Sequence, residues 1–211
     1  DAVEALAAEV DATYRDGWDL DTSGMVDRID AYECDVAISI NWKTRICASV
    51  LEAFPHGIIN CHAGDLPRYR GNAAVNWALI AGEDTIVFTL HEMVEALDAG
   101  PIVLQREMTV GPRTRLADVY AFGVRHVPGM FCEVLAEMAD GTLTPRPQES
   151  DPRRPLRCYP RRPADSALDW TAPASRLDRL IRASSEPLFG AYTWYAGNKL
   201  TIWRAHPEQP E

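Results

Sequence analysis

The chain lacks any hydrophobic run near the length of about 18 residues that a membrane span requires. No signal peptide pattern is visible, and no internal repeat runs along its 211 residues. A Gly-rich phosphate loop is also missing. We therefore expect no membrane association, and we expect any bound nucleotide to be held by other kinds of side chain.

Cysteine is scarce, with five residues at positions 34, 47, 61, 132 and 158. The number is odd, and no CxxC or Cys/His spacing typical of a zinc site occurs. We therefore expect reduced thiols, no bound metal and a cytoplasmic location.

Basic residues are in the minority, since 21 Lys and Arg face 31 Asp and Glu for a formal net charge of −10. Affinity for nucleic acid comes largely from neutralised phosphates, so this balance argues against a nucleic-acid partner. The segment from Arg153 to Arg162 is a local candidate for a basic patch, with a solvated linker as the alternative.

Hydrophobic periodicity predicts helices alternating with short strands, which is typical of an α/β fold. Helices are expected at about residues 1–12, 24–32, 43–54, 73–81, 114–140 and 174–183. Pro128-Gly129 is expected to interrupt the fifth helix, and Thr22 or Ser23 is expected to cap the second. Strands are expected at 36–40, 58–62, 85–91 and from 102 onward, followed by a C-terminal hairpin of 191–195 with 199–203.

Three motifs between residues 57 and 102 are the most specific feature of the sequence. Asn-Cys-His occupies 60–62 at the end of a predicted strand, Leu-Pro-Arg-Tyr-Arg-Gly occupies 66–71, and Leu-Asp-Ala-Gly-Pro-Ile occupies 97–102. Side chains alternate along a strand, so the amide and the imidazole of the first motif face the same side. They lie at the carboxyl end of a strand, where open α/β sheets bind ligands.

In this order and spacing, the motifs resemble the formyltransferase family that uses N10-formyltetrahydrofolate. That family includes methionyl-tRNA, glycinamide ribonucleotide and sugar-nucleotide formyltransferases, the last serving lipopolysaccharide or O-antigen biosynthesis. Asn76-Trp77 followed by Gly82-Glu83 is most similar to the amino-sugar members. The resemblance implies a doubly wound, Rossmann-like sheet with a small C-terminal β appendage. It also implies N10-formyltetrahydrofolate as co-substrate and a nucleotide-linked amino sugar as acceptor.

The resemblance assigns three catalytic roles. Formyl transfer to an amine is acyl transfer, which requires a neutral amine, stabilisation of an oxyanion and removal of a proton. The family pattern gives the oxyanion to Asn60, the general base to His62, and imidazole orientation with proton relay to Asp98.

The same resemblance implies the binding residues. The acceptor is expected at Tyr69, Arg70, Asn76 and Trp77. Alternatively, Arg70 is an ion-pair residue that holds the 66–71 loop, and Trp77 is part of a helix core.

The pterin is expected at Ile40, Asn41, Trp42 and Leu97, with Trp42 alternatively a packing residue.

We expect a catalytic domain at 1–145, a linker at 146–166, and a C-terminal subdomain of a helix and a β-hairpin at 167–211. The C-terminal part is a candidate homodimer contact. Family members have a strand, a helix and a strand before the equivalent of Asp1, so we expect the sequence to start inside a longer chain.

Other acceptors use the same catalytic trio. Methionyl-tRNA is disfavoured by the acidic charge and by the short C-terminal part, which leaves no room for a full β-barrel. An amino acid or hydroxylamine in peptide or siderophore assembly stays open, and water would make the protein a formyltetrahydrofolate hydrolase. The alternative outside enzymology is a catalytically silent folate-binding module.

Overall fold

The structure is a computed structural model that describes residues 2–17, 20, 24–42, 44–149 and 156–206. The helices are α1 Ala2–Glu9, α2 Met25–Asp30, α3 Ala48–Glu52, α4 Ala74–Ala81, α5 Leu116–Ala139 and α6 Ala174–Ser184. The strands are β1 Ala37–Ile40, β2 Ile58–His62, β3 Arg70–Gly71, β4 Thr85–Glu92, β5 Ile102–Thr109, β6 Arg157–Cys158, β7 Ala191–Tyr195 and β8 Asn198–Ile202. A short 3-10 helix covers Pro163–Ser166.

The central sheet has the order β1-β2-β4-β5. Strands β1 and β2 are parallel, whereas β4 runs antiparallel to both of its neighbours. The sheet is therefore mixed, and its parallel part is the pair that ends at the first motif.

Helices pack on both faces of this sheet. Consecutive residues of β2 point to opposite faces: Ile58 packs with α2 and α3 residues such as Met25 and Val50, whereas Ile59 packs in the larger cluster with α4 and α5. This arrangement confirms the predicted doubly wound α/β class.

Strand β1 is less buried than expected for an internal strand. Ile38 and Ile40 are 46% and 62% exposed, whereas Ser39 between them is buried. Among the described residues β1 pairs with β2 alone, so it is an edge strand with one apolar face open.

Helix α1 forms as the periodicity predicts, but its apolar residues are not covered. Val3 and Leu6 are 61% and 58% exposed, and no residue of the helix is buried. The proposed caps of α2, Thr22 and Ser23, lie outside the described residues.

The interruption expected in helix α5 does not occur. The helix is 24 residues long and continues through Pro128. The proline removes the hydrogen bond to the carbonyl of Val124, but that residue is 79% exposed, so water can solvate the carbonyl. Burial of Val127, Met130 and Phe131 around the proline offsets the lost bond.

The C-terminal part packs on the catalytic sheet's helices. Ala183 of α6 belongs to the main core and is fully buried. The Arg161 guanidinium donates to the carbonyls of Ala183 and Asp165 and to the hydroxyl of Ser184. Residues 156–162, expected to be a linker, are therefore attached to the fold.

The terminal hairpin forms as predicted, with β8 beginning one residue earlier. Ala196 and Gly197 connect the strands, and both have positive φ, as a two-residue type I′ turn requires. Within the described parts of the chain, no helix combines the length and apolar character needed to cross a bilayer.

Replacing Leu90 by Ala should lower the free energy of unfolding by about 2–5 kcal/mol, because its side chain is fully buried in the main core. Denaturant unfolding followed by circular dichroism would measure the change. Val124→Ala, on the exposed face of α5, should change stability by less than about 0.5 kcal/mol. Equal losses in the two variants would contradict the placement of Leu90.

Candidate active site

The predicted catalytic residues meet at the end of β2. Asn60 and His62 lie on one face of the strand, opposite His91 and Thr89 of β4. The Asp98 carboxylate reaches this face from the loop between β4 and β5, with its Oδ2 3.6 Å from His62 Nδ1. The structure thus brings together three residues that the sequence separates by up to 38 positions.

Backbone contacts hold Asp98 in place. Its φ is 48°, in the left-handed region, and its Oδ2 accepts a 2.7 Å hydrogen bond from the Gly71 N–H. Gly71 closes the 66–71 loop, so the second motif directly orients the carboxylate of the third. This short bond fixes the orientation of the carboxylate.

The tautomer of His62 follows from its hydrogen bonds. Its Nε2 lies 2.7 Å from the carbonyl oxygen of Tyr69, which can only accept, so Nε2 carries the proton. In the neutral ring Nδ1 therefore has the free lone pair, and this nitrogen is the one next to Asp98. The side chain is buried, so this lone pair is largely shielded from solvent.

A second histidine, His91, completes the cluster and was not among the predicted site residues. Its Nε2 is 3.1 Å from Asn60 Nδ2 and 3.7 Å from Asp98 Oδ1, and its ring centroid is 6.4 Å from that of His62. Burial lowers the pKa of His91 below its usual value, which keeps the ring neutral. The signal in the sequence was a histidine inside the strand that leads to the third motif.

Arg70 is tied to the Asp98 turn through an amide. Its guanidinium donates to Gln148 Oε1 through Nε, at 3.1 Å, and through a second nitrogen. Gln148 Nε2 then donates to the carbonyls of Asp98 and Gly100, each at 2.8 Å. This arrangement is close to the loop-holding alternative for Arg70, although its partner is an amide and not a carboxylate. Sequence reasoning did not single out Gln148.

Two residues that were expected to bind the acceptor substrate make hydrogen bonds within the protein. The Tyr69 hydroxyl donates to Glu83 at 2.5 Å, and the Asn76 amide donates to the Ala183 carbonyl at 2.7 Å. Both residues are buried, at 6% and 4% exposure. Each side chain therefore joins parts of the fold, and the expected contact of both residues with the acceptor stays a prediction. Burial also raises the pKa of the Tyr69 phenol.

Trp77 also contacts the C-terminal segment, since its indole N–H donates to the Tyr159 carbonyl at 2.8 Å. The indole is partly exposed. Its expected substrate contact stays a prediction.

The four residues expected at the pterin are exposed near the cluster. Ile40 is the register partner of Cys61 across β1 and β2, and Asn41 follows it with a positive φ of 56°. Trp42 and Leu97 are both 45% exposed, and Leu97 immediately precedes Asp98. Apolar surface is therefore present on both segments to which the pterin contact was assigned.

All five cysteines are free thiols, and burial raises the pKa of Cys61, beside the cluster, to about 11. Among the described residues, no group of three His, Cys, Asp or Glu is arranged to hold a metal ion.

Comparison with family models identifies the fold. The model described as "Formyl transferase" matches residues 9–135, and the one described as "Formyl transferase, C-terminal domain" matches residues 161–211. The chain belongs to the formyl transferase family. The first match includes all three sequence motifs and all three catalytic candidates, so the family assignment made from those motifs is confirmed.

Solved structures of other proteins share the fold. HypX from Aquifex aeolicus in complex with tetrahydrofolic acid is 24% identical, with a TM-score of 0.72, and the match covers 87% of this chain and 31% of HypX. The chain thus spans about a third of the length of HypX.

A sugar N-formyltransferase from Shewanella is 19% identical, with a TM-score of 0.74 and coverage of 98% and 82% of the two chains. The methionyl-tRNA formyltransferase from Clostridium thermocellum is 16% identical, with a TM-score of 0.71 and coverage of 97% and 87%. At these identities the likeness establishes the fold, and it is shared by members with different acceptors.

Gln148→Ala should reduce the formyl-transfer kcat by about 10- to 100-fold, because the amide fixes the carbonyls on both sides of the Asp98 turn. Steady-state assays of the two purified proteins would measure it. Thr144→Ala, an exposed change in the same segment, should leave kcat unaltered. A Gln148→Ala enzyme as fast as the parent would show that the turn holds Asp98 unaided.

The neutral, buried His91 should make stability depend on pH. Its pKa is lowered in the folded protein, whereas an unfolded histidine titrates at about 6.5, so the unfolded state binds more protons in acid. The free energy of unfolding should therefore fall as the pH drops below about 6.5, and His91→Leu should weaken that dependence. Urea unfolding from pH 8 to pH 5 tests this. Parallel curves for the two proteins would be inconsistent with a lowered pKa.

Proposed function

We propose that the protein transfers the formyl group of N10-formyltetrahydrofolate to the amine of a nucleotide-linked amino sugar. The observation that carries the proposal is the convergence of Asn60, His62 and Asp98 in a geometry suited to acyl transfer. Membership of the formyl transferase family supports the reaction class.

The cluster can perform each proton and charge step of this reaction. The neutral amine attacks the formyl carbon, and an N–H of the Asn60 amide donates to the oxyanion that forms, an effect of about 2.7–4 kcal/mol for one donor. Nδ1 of His62 takes the proton from the attacking nitrogen. Asp98, 3.6 Å away, stabilises the resulting imidazolium.

The same histidine then completes the transfer. When the tetrahedral species collapses, the bond from the formyl carbon to N10 breaks, and His62 returns its proton to that nitrogen. The base is thereby regenerated, and tetrahydrofolate leaves with N10 as a neutral secondary amine. Because Nε2 remains bonded to the Tyr69 carbonyl throughout, the proton enters and leaves through Nδ1 alone.

The folate is proposed to bind beside the cluster, against the segment of Ile40, Asn41 and Trp42 and against Leu97. These residues supply exposed apolar surface next to β2 and next to Asp98. A tetrahydrofolate complex of HypX, a protein of the same fold, supports this choice of co-substrate.

The amino-sugar acceptor rests on the motif at 76–83 and is supported by the sugar N-formyltransferase among the similar structures. Arg70 is the proposed contact for a phosphate or carboxylate of the acceptor, with Trp77 nearby in the chain. The net charge of −10 favours a small acceptor over tRNA. A cytoplasmic location and pairing through the C-terminal part belong to the same proposal.

An acceptor panel tests the proposal. The full-length protein would be incubated with N10-formyltetrahydrofolate and, separately, nucleotide-linked amino sugars, amino acids, hydroxylamines, methionyl-tRNA and buffer alone. Formylation of a sugar nucleotide supports the proposal. Turnover with another acceptor alone overturns the acceptor assignment, and folate binding without any turnover overturns the enzymatic function.

His62→Ala should reduce kcat with the accepted amine by about 10²- to 10⁴-fold, the range expected for loss of a general base. Asp98→Ala should also cause a large loss, since it removes the partner of the imidazolium. His126→Ala, on α5 against Phe122, is the matched control and should retain full activity. Circular dichroism checks that each variant is folded. Unchanged rates in both site variants would refute the proposed mechanism.

A further inference from the structure

We propose that His91 is a positioning residue, which selects the one orientation of the Asn60 amide that can donate to the oxyanion. The inference rests on the proposed formyl transfer for its functional consequence. Its structural basis is independent of that function, because it follows from hydrogen bonds between protein groups.

The tautomer of His91 is set by the backbone. Its Nδ1 lies 2.8 Å from the carbonyl oxygen of Glu92, which can only accept, so Nδ1 carries the proton. In the neutral ring Nε2 is then an acceptor. The nearest polar group to it is Asn60 Nδ2 at 3.1 Å, which has the hydrogens to donate.

This bond distinguishes the two ends of the Asn60 amide. The opposite orientation would place the amide oxygen against the Nε2 lone pair, and two acceptors in contact within a buried site are unfavourable. The amide nitrogen is therefore held in the cluster. One of its hydrogens goes to His91, and the other is the one that the proposed mechanism gives to the oxyanion.

The arrangement requires a neutral imidazole. A proton on Nε2 would face the Asn60 amide as donor against donor, and it would be attracted instead to Asp98 Oδ1, 3.7 Å away. Burial lowers the pKa of His91, the Glu92 carbonyl and the Asp98 carboxylate raise it, and His62 and Arg70 oppose protonation. The ring is 2% exposed, and burial acts in the same direction as the two opposing groups.

The two histidines of the cluster thus have different tasks. His62 bears its proton on Nε2 and presents Nδ1 to Asp98, whereas His91 bears its proton on Nδ1 and presents Nε2 to Asn60. A backbone carbonyl fixes each tautomer. His62 accepts and releases the proton, and His91 orients the Asn60 amide that donates to the oxyanion.

The kinetic test compares His91→Leu with His91→Gln. Leucine keeps the site apolar and removes the acceptor, so kcat should fall by about tenfold or more with the acceptor KM changed less than about threefold. Glutamine supplies an amide oxygen in place of Nε2 and should restore most of the lost rate. His126→Leu is the matched control for the same chemical change outside the cluster.

The Asn60→Ala background decides whether His91 acts through Asn60. If it does, adding His91→Leu to Asn60→Ala should change kcat by less than about twofold, because the group to be oriented is gone. Independent losses that multiply in the double variant would overturn the proposal, as would a His91→Gln enzyme no faster than His91→Leu.

A second measurement does not depend on turnover. Nitrogen-15 NMR of the histidine side chains in the full-length protein should show His91 protonated at Nδ1 and unprotonated at Nε2 at neutral pH. A proton on Nε2 would overturn the inference while leaving the proposed function intact. Absence of formyl transfer by the parent protein, with the expected tautomer present, would instead refute the proposed function.

Discussion

The carboxylate of Asp98 is the constraint on which the active site depends. It accepts the Gly71 N–H, faces Nδ1 of His62 with one oxygen and lies beside Nε2 of His91 with the other. Three other segments of the chain, which carry Gly71, His62 and His91, are thereby brought close to one group. The 2.7 Å bond from the Gly71 N–H fixes the orientation of this carboxylate between the two rings.

The turn that presents this carboxylate is packed tightly. A Cβ at Gly100 would collide with the carbonyl of Glu92, so residues 98–100 can lie this close to β4 only with glycine at that position. The turn is joined on its other side to Gln148, which the pairing of Ile102 with Arg146 brings into reach. Support from both sides holds the Asp98 side chain in one position, where its two oxygens face His62 and His91 at the same time.

Sequence reasoning found the parts of the site that reside in local motifs. Asn60 and His62 were placed on one face because strand periodicity is a local property, and Asp98 was assigned through the resemblance of the third motif to formyltransferases. His91 and Gln148 were missed because their roles arise from partners 31 and 50 positions away, Asn60 and the Asp98 carbonyl.

The same limit applies to other residues whose partners lie far away in the sequence. Tyr69 and Asn76 have side-chain types that suit a ligand contact, and only the tertiary arrangement shows that Glu83 and Ala183 use them. Propensity predicted a break at Pro128, which packing of the surrounding apolar residues overrides. Ile38 is apolar and was expected in a buried strand, but it is exposed. Its burial depends on which elements pack against β1, and the local sequence does not determine that.

The two-residue pairing of β3 with β6 has a consequence for how the protein matures. Gly71, the donor to Asp98, lies directly against the backbone of Cys158, and a side chain at this position would strike the Cys158 carbonyl. Closing that contact joins residues 87 positions apart, a long-range step of the kind that forms slowly. During synthesis, the loop that orients the Asp98 carboxylate cannot acquire this support until position 158 has left the ribosome. The chain can therefore form its central sheet before the cluster around Asp98 is fully assembled.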